Sequence, residues 1–393
     1  MELATQPSAR AAAVRPLQGQ GRDNNFDLVR LLAAWSVIIT HGLIMAGHPV
    51  SEDPLHRLSN GWLVLSNWAV YTFFIISGYL ISFSAERSRS LGQFGFNRFL
   101  RIWPGLAVCT LVVALVLGPM VTSLPLDAYL TKAKTWEYLW SLTVFRISTG
   151  LPGVFEQQPF QEVNGSIWTL AYEVACYVLV GALAWLGLLR KPATLWVITG
   201  LWLAAYLPLQ IWGYPDKLRY AFLYTTLYTD DLVRLSGYFL GGMICYRLVQ
   251  QGFWFRPWMG LAAMGLLALR WWATIPANAH GYAGLWALAH PHLPWIYVLL
   301  PICTFAFCFM PVPAWLRHPL GPGRDWSYGI YIYGMPVQQT IYLLWGDAWP
   351  LWGYQVASLL AVLPLAAASW AWVEEPILKL KQRQKRPAAT AAA

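Results

Sequence analysis

Polar residues divide the chain into apolar runs of about twenty residues, the length a helix needs to cross roughly 30 Å of hydrocarbon. Ten such segments are expected, at 26–46, 62–83, 97–119, 166–188, 193–213, 231–250, 256–275, 295–313, 326–346 and 351–373. Several are interrupted or flanked by Gly and Pro, which membrane helices tolerate. The pattern predicts an all-α fold, a polytopic transmembrane helix bundle. Charged residues make up 11% of the chain, less than half of the roughly 25% usual in soluble domains. The 24 tryptophans and 20 tyrosines fit an interfacial aromatic belt. The stretch 131–147 is amphipathic and is expected on the membrane surface or as a re-entrant piece.

Three regions follow: a polar tail over 1–25, a membrane domain over 26–376 and a basic tail over 377–393. The first tail lacks the apolar core of a signal peptide, so an uncleaved first span with a disordered cytosolic tail is expected. With the N-terminus inside, most basic residues between segments fall on the cytosolic side. These are Arg10, Arg15, Arg22, Arg87, Arg89, Arg190, Lys191, Arg247, Arg256, Arg317, Arg324 and the cluster from Lys379 to Arg386. Arg57, Lys132, Lys134, Arg146, Lys217 and Arg219 fall outside. The bias predicts a multi-pass protein with both termini cytosolic. The C-terminal "KLKQRQKR" reads equally as a lipid anchor and as a solvated stop-transfer tail.

Within "RLLAAWSVIITH", Arg30 and His41 are eleven residues apart. That is three turns plus about 20°, so both share one helix face, roughly 16 Å apart along the axis. Arg30 lies near the inner mouth and His41 well across the membrane. A snorkelling flank residue stays open for Arg30. An ionisable group such as His41 inside a span points to function, with a structurally bonded histidine as the alternative. Arg98 and Arg101 are spaced i, i+3 at the same mouth. Beside Arg30 they form an expected basic site, since arginine forks suit phosphate oxygens; positive-inside anchoring explains them equally. Glu173 falls seven residues into the fourth segment, roughly 10 Å below the outer surface. At that depth it is expected to pair with His41 and activate the imidazole as a general base, or to form a structural pair with another buried cation.

Other features point less clearly. Asp230 and Arg234 are i, i+4 and expected to satisfy each other. Gly237 and Gly241 make a small-xxx-small packing face. His280, His290 and His292 lie in an outer loop without the further ligands a metal needs. Trp62, Trp136, Trp140 and Trp168 read as interface belt, with a sugar-stacking role open for one or two. The five cysteines lie within apolar runs and form no CxxC, so neither a disulfide framework nor a metal site is indicated. No P-loop, HExxH, GxSxG or dinucleotide fingerprint is present, and no nucleic-acid partner is indicated.

An ordered set of motifs carries a resemblance. It comprises Arg-x10-His in the first segment, "FFIISGYLIS" (73–82), "RFLRIWP" (98–104), "SIWTLAYE" (166–173), "SYGIYIYGMPVQQ" (327–339) and "EEP" (374–376). In this order they resemble the acyltransferase-3 family of integral-membrane O-acyltransferases. The resemblance implies transfer of an acetyl or similar short acyl group from cytosolic acyl-CoA, with acetyl-CoA as the expected donor. The implied acceptor is a hydroxyl of a cell-surface or lipid-linked glycan, and the implied place is the bacterial inner membrane. By motif, His41 matches the family's essential histidine, Arg30, Arg98 and Arg101 the arginines that handle coenzyme A, and Glu173 the acidic residue after the tryptophan motif. Ser166 and Trp168 are the expected substrate-binding residues. Many members carry a histidine where this chain has Gly334, so an acyl relay through a second histidine is not implied. The chain stops soon after its last segment, so action alone or with a separate polysaccharide-assembly partner is expected. A solute or lipid-linked glycan transporter would also bury Arg, His and Glu, but would show paired repeats, and none is visible. A scaffold for polysaccharide assembly is a third reading.

Overall fold

The computed structural model describes residues 24–211, 227–273, 295–321 and 323–383, and a helix lies on each of the ten expected segments. These are α1 (Phe26–Met45), α2 (Leu65–Arg87), α3 (Leu91–Val112), α4 (Thr169–Trp185), α5 (Pro192–Ile211), α6 (Thr229–Gln250), α7 (Pro257–Ala273), α8 (Ile296–Cys308), α9 (Ser327–Trp345) and α10 (Leu351–Ser369). Among the described residues there is no strand. Six helices are long and apolar enough to cross a membrane by length and composition: α1, α2, α3 continued to Val121, α4 with its preceding turn, α6, and α10 continued to Lys379. α5 and α8 contribute shorter apolar helices. The tails 1–23 and 384–393, with Lys217, Arg219, His280, His290 and His292, lie outside the described residues. The amphipathic stretch 131–147 forms a short helix, Ala133–Glu137, and a tighter 3-10 turn, Tyr138–Thr143, with Trp136 and Trp140 exposed.

α1 sits at the centre, packed on α2, α9 and α10. Lipid supplies no hydrophobic drive between helices, so close approach and hydrogen bonds must hold them. The α2–α6 crossing uses close approach. A Cβ built on Gly78 would fall 2.0 Å from the Phe239 carbonyl oxygen, and one on Gly242 2.0 Å from that of Ile75. The expected Gly237/Gly241 face packs as well, against Trp202, Tyr297 and Pro301. The Asp230–Arg234 pairing is not observed. Arg234 instead forms a buried ion pair with Asp231 and a 3.2 Å hydrogen bond with Tyr71. Asp231, one turn before Arg234, is the buried one of the two acids, so it is the one that must be paired.

Hydrogen bonds place the elements around His41. Pro336 has no N–H, so within α9 the carbonyl of Ile332 loses its helical donor. Asn164 Nδ2 donates to that oxygen at 2.9 Å, and Cys109 Sγ at 3.3 Å. The loop before α4 is thus drawn into the bundle. Gln158 and Gln339 tie it down reciprocally: Gln158 donates to the Gln339 carbonyl, and Gln339 to those of Phe160 and Glu162. The adjacent Gln338 donates to the Ile38 carbonyl of α1 at 2.7 Å. On the other side of α1, Thr40 Oγ1 donates to buried Asp53 at 2.6 Å and accepts from Ser66 N at 2.9 Å.

The glycine crossing gives a direct test. Gly242→Val must push two backbones apart and is expected to cost at least about 3 kcal/mol, the top of the usual overpacking range. Gly200→Ala, facing open space in α5, should be neutral or stabilising by up to about 1 kcal/mol. Thermal midpoints in detergent, read by fluorescence-detected size exclusion, compare the two.

Candidate active site

The expected residues sort into two groups at opposite ends of α1. His41 lies at one end. Its Nδ1 is 3.4 Å from Ser166 Oγ, and both line a cavity of about 330 Å³. Trp168 lines the same cavity with its ring edge-on to Tyr172, so both expected substrate-binding residues sit beside the histidine. Ser66, Asn67, Glu162 and Arg234 supply the other polar lining; Val37, Ile44, Val70, Tyr331 and Met335 are among the apolar and aromatic residues. Burial raises the Glu162 carboxyl above its ordinary value, opposed by a hydrogen bond from Thr149. A largely apolar pocket with a few converging polar groups is the usual form of a small-molecule site.

Arg30 and Arg101 lie at the other end, and both donate to one oxygen of Asp325. The second oxygen accepts from Ser327 N at 3.1 Å and so caps the first turn of α9. Burial alone would raise the Asp325 carboxyl, but Arg30 and Arg101 hold it far below the usual carboxylate range. Glu374 interacts with the same arginines and accepts from Ser369 Oγ at 3.0 Å. It is presented by a π turn, Trp370–Glu374, at the end of α10. Arg98 packs over the Tyr177 ring, 5.9 Å from its centroid, and interacts with Glu173.

Two expectations change. Glu173 accepts from Ser77 Oγ at 2.7 Å and from Tyr177, and it belongs with Arg98, not with His41. The common depth expected for Glu173 and His41 rests on placing Ser166 at the membrane surface. The preceding loop is itself buried, at Val144, Leu151, Val154, Phe155, Val163 and Asn164. Ser166 therefore already stands level with His41, and Glu173 lies roughly 10 Å further along the helix. The arginine site is likewise not a bare basic patch, because Asp325, Glu374 and Glu173 face the three arginines. Arg30 and Arg101 keep 21% and 19% of their side chains exposed, so they remain reachable.

Sequence reasoning missed Asp325, Asn67 and Glu162. Asp325 was readable as a carboxylate two residues before a helix, where Asp caps free N–H groups. Asn67 was readable as a polar residue inside the apolar run "LVLSNWAVYTFF". Glu162 had no signal, because its loop looked like an ordinary surface connection. Among the described residues no group of His, Cys, Asp and Glu is arranged to hold a metal ion.

A family model described as an acyltransferase domain, that of the acyltransferase-3 family, matches residues 23–371. The chain belongs to the acyltransferase-3 family. It is an acyltransferase. It is 28% identical to Nodulation protein 10 of Rhizobium leguminosarum bv. viciae, over 92% of this chain and 95% of that protein. It is also 28% identical to an O-acetyl transferase of Shigella phage Sf6, over 91% of this chain and 96% of that one. No solved structure matches the chain.

The bridging carboxylate makes a prediction that follows from its depressed pKa. Asp325→Asn strands two partly buried arginines and should cost roughly 3–5 kcal/mol. The carboxylate's contribution is fully present above the unfolded aspartate pKa, near 4, and is lost only as pH falls through the lower folded value. The thermal-midpoint gap between wild type and Asp325→Asn should therefore be flat from about pH 8 to 5 and narrow below about 4. A gap that shrinks between about pH 8 and 5 contradicts the assignment.

Proposed function

We propose that this acyltransferase moves an acetyl or similar short acyl group from cytosolic acyl-CoA to a hydroxyl of a cell-surface or lipid-linked glycan. On this reading it is a ten-span protein of the bacterial inner membrane with both termini cytosolic. The observation that carries the proposal is the cavity that joins His41 to Ser166 and Trp168 at one end of a helix whose other end carries Arg30. The relative named as an O-acetyl transferase supports the choice of a hydroxyl acceptor and an acetyl group.

Arg30, Arg98 and Arg101 would hold the donor's phosphates. Their chemistry fits: Arg30 and Arg101 are anchored by Asp325 yet partly exposed, and Arg98 Nε is buried without a hydrogen bond to any described residue. The roughly 16 Å between Arg30 and His41 is within reach of an extended pantetheine arm. In the tautomer whose Nδ1–H donates to Ser166 Oγ, Nε2 is the nitrogen left to accept the acceptor's hydroxyl proton. The alkoxide then forms a C–O bond to the acyl carbon, the C–S bond breaks, and the proton on His41 passes to the departing thiolate. Trp168 offers a face for a sugar ring.

Purified protein in nanodiscs, given labelled acetyl-CoA and the producing cell's envelope glycan extract, tests this. Acceptor-dependent release of free coenzyme A with label on glycan is expected, and His41→Ala should lower it by at least about 10²-fold while leaving the thermal midpoint in place. Full activity in His41→Ala, or solute uptake without coenzyme A release, would sink the proposal.

A further inference from the structure

One buried donor in the histidine cavity has no partner among the described residues. Asn67 lines the cavity with His41, and its Nδ2 is buried without a hydrogen bond. Several neighbouring donors are engaged. Ser66 N donates to Thr40 Oγ1, Gly165 N and the Ser166 hydroxyl to Met335 Sδ, and Arg234 to Asp231. The Thr40–Ser66 bond also sets the register of α1 against α2, placing the next residue of each helix, His41 and Asn67, against the same cavity. A buried amide left unpaired costs about 1–3 kcal/mol, and the fold gains no hydrogen bond in return. Such a cost is characteristic of a group kept for a ligand.

We propose that the Asn67 amide donates to the acyl carbonyl oxygen as negative charge develops on it, opposite the proton transfer to His41. This rests on the reading of His41 given above. When the acceptor oxygen bonds to the thioester carbon, the carbonyl π electrons move onto oxygen, and Asn67 Nδ2–H meets that charge. Collapse of the adduct returns the electrons to the carbonyl and expels the thiolate. The amide is neutral and uncommitted beforehand, so it need not give up another partner to act, which is what makes such donors effective.

The test uses Asn67→Ala and the near-isosteric Asn67→Asp, both in the full chain in nanodiscs. The donor is acetyl-CoA and the acceptor is the envelope glycan extract. Both variants should lose about 10²–10³-fold in kcat, with the half-saturating donor and extract concentrations within about threefold of wild type. Because no protein hydrogen bond is lost, the thermal midpoint of Asn67→Ala should equal or exceed that of wild type. A kcat within about threefold of wild type in both variants overturns the proposal. So does a shifted half-saturating extract concentration at unchanged kcat, which makes Asn67 an acceptor-binding group, and so does a lowered midpoint in both, which makes it structural. Failure here is separable from failure of the parent reading. If His41→Ala is inactive and the Asn67 variants are not, only the amide's role falls; if His41→Ala is active, both fall.

Discussion

One carboxylate fixes three helices at once. Asp325 receives Arg30 from α1 and Arg101 from α3 on one oxygen, and caps α9 with the other. Taking these charges out of water is expensive, and their attraction offsets the cost only when the geometry is good and the remaining lone pairs are filled. The backbone N–H and hydroxyl of Ser327 supply that filling. About three turns further along α9, Gln338 donates to the Ile38 carbonyl of α1. The first helix is therefore held to the ninth near both ends, and it acts as a stiff rod that sets Arg30 and His41 at a fixed separation.

The same carboxylate decides the charge balance of the arginine cluster. Arg30, Arg98 and Arg101 face Asp325, Glu374 and Glu173, which gives a nearly balanced cluster rather than a concentration of positive charge. Balance lets the free protein bury the arginines without leaving them unpaired. On the proposed reading, a donor phosphate would compete for their forks with carboxylates already in place. Arginine geometry favours such an exchange, because the planar guanidinium has five donors and one carboxylate oxygen does not use them all.

The helical architecture was legible in the sequence because apolar run length maps directly onto helix length, and all ten segments carry a helix. The candidate residues of the site were legible too, since ionisable groups in apolar runs stand out. Their partners were not. Spacing along one helix put Arg30 and His41 on a common face, but the pairing of Glu173 depended on where its helix begins relative to its neighbours. That start is set by Pro336, whose missing N–H leaves the Ile332 carbonyl to Asn164 across the bundle. Asp230 and Asp231 show the same limit: adjacent acids offer two helical spacings to Arg234, and burial, which the sequence does not reveal, selects Asp231.

Gly334 bears on how closely α1 and α9 pack. A Cβ built there would lie 3.3 Å from Ile38 Cγ1, closer than most side-chain neighbours sit, so a larger residue at this position would require the Ile38 side chain of α1 to give way. The Ile38 carbonyl, three residues before His41, also accepts from Gln338. At this position the chain has a close α1–α9 contact and no second histidine. On the proposed reading, with His41 the one histidine among the described residues lining the cavity, proton transfer from the acceptor and to the leaving thiolate would fall to a single imidazole. On that reading, direct transfer from donor to acceptor within one cavity would need no second histidine.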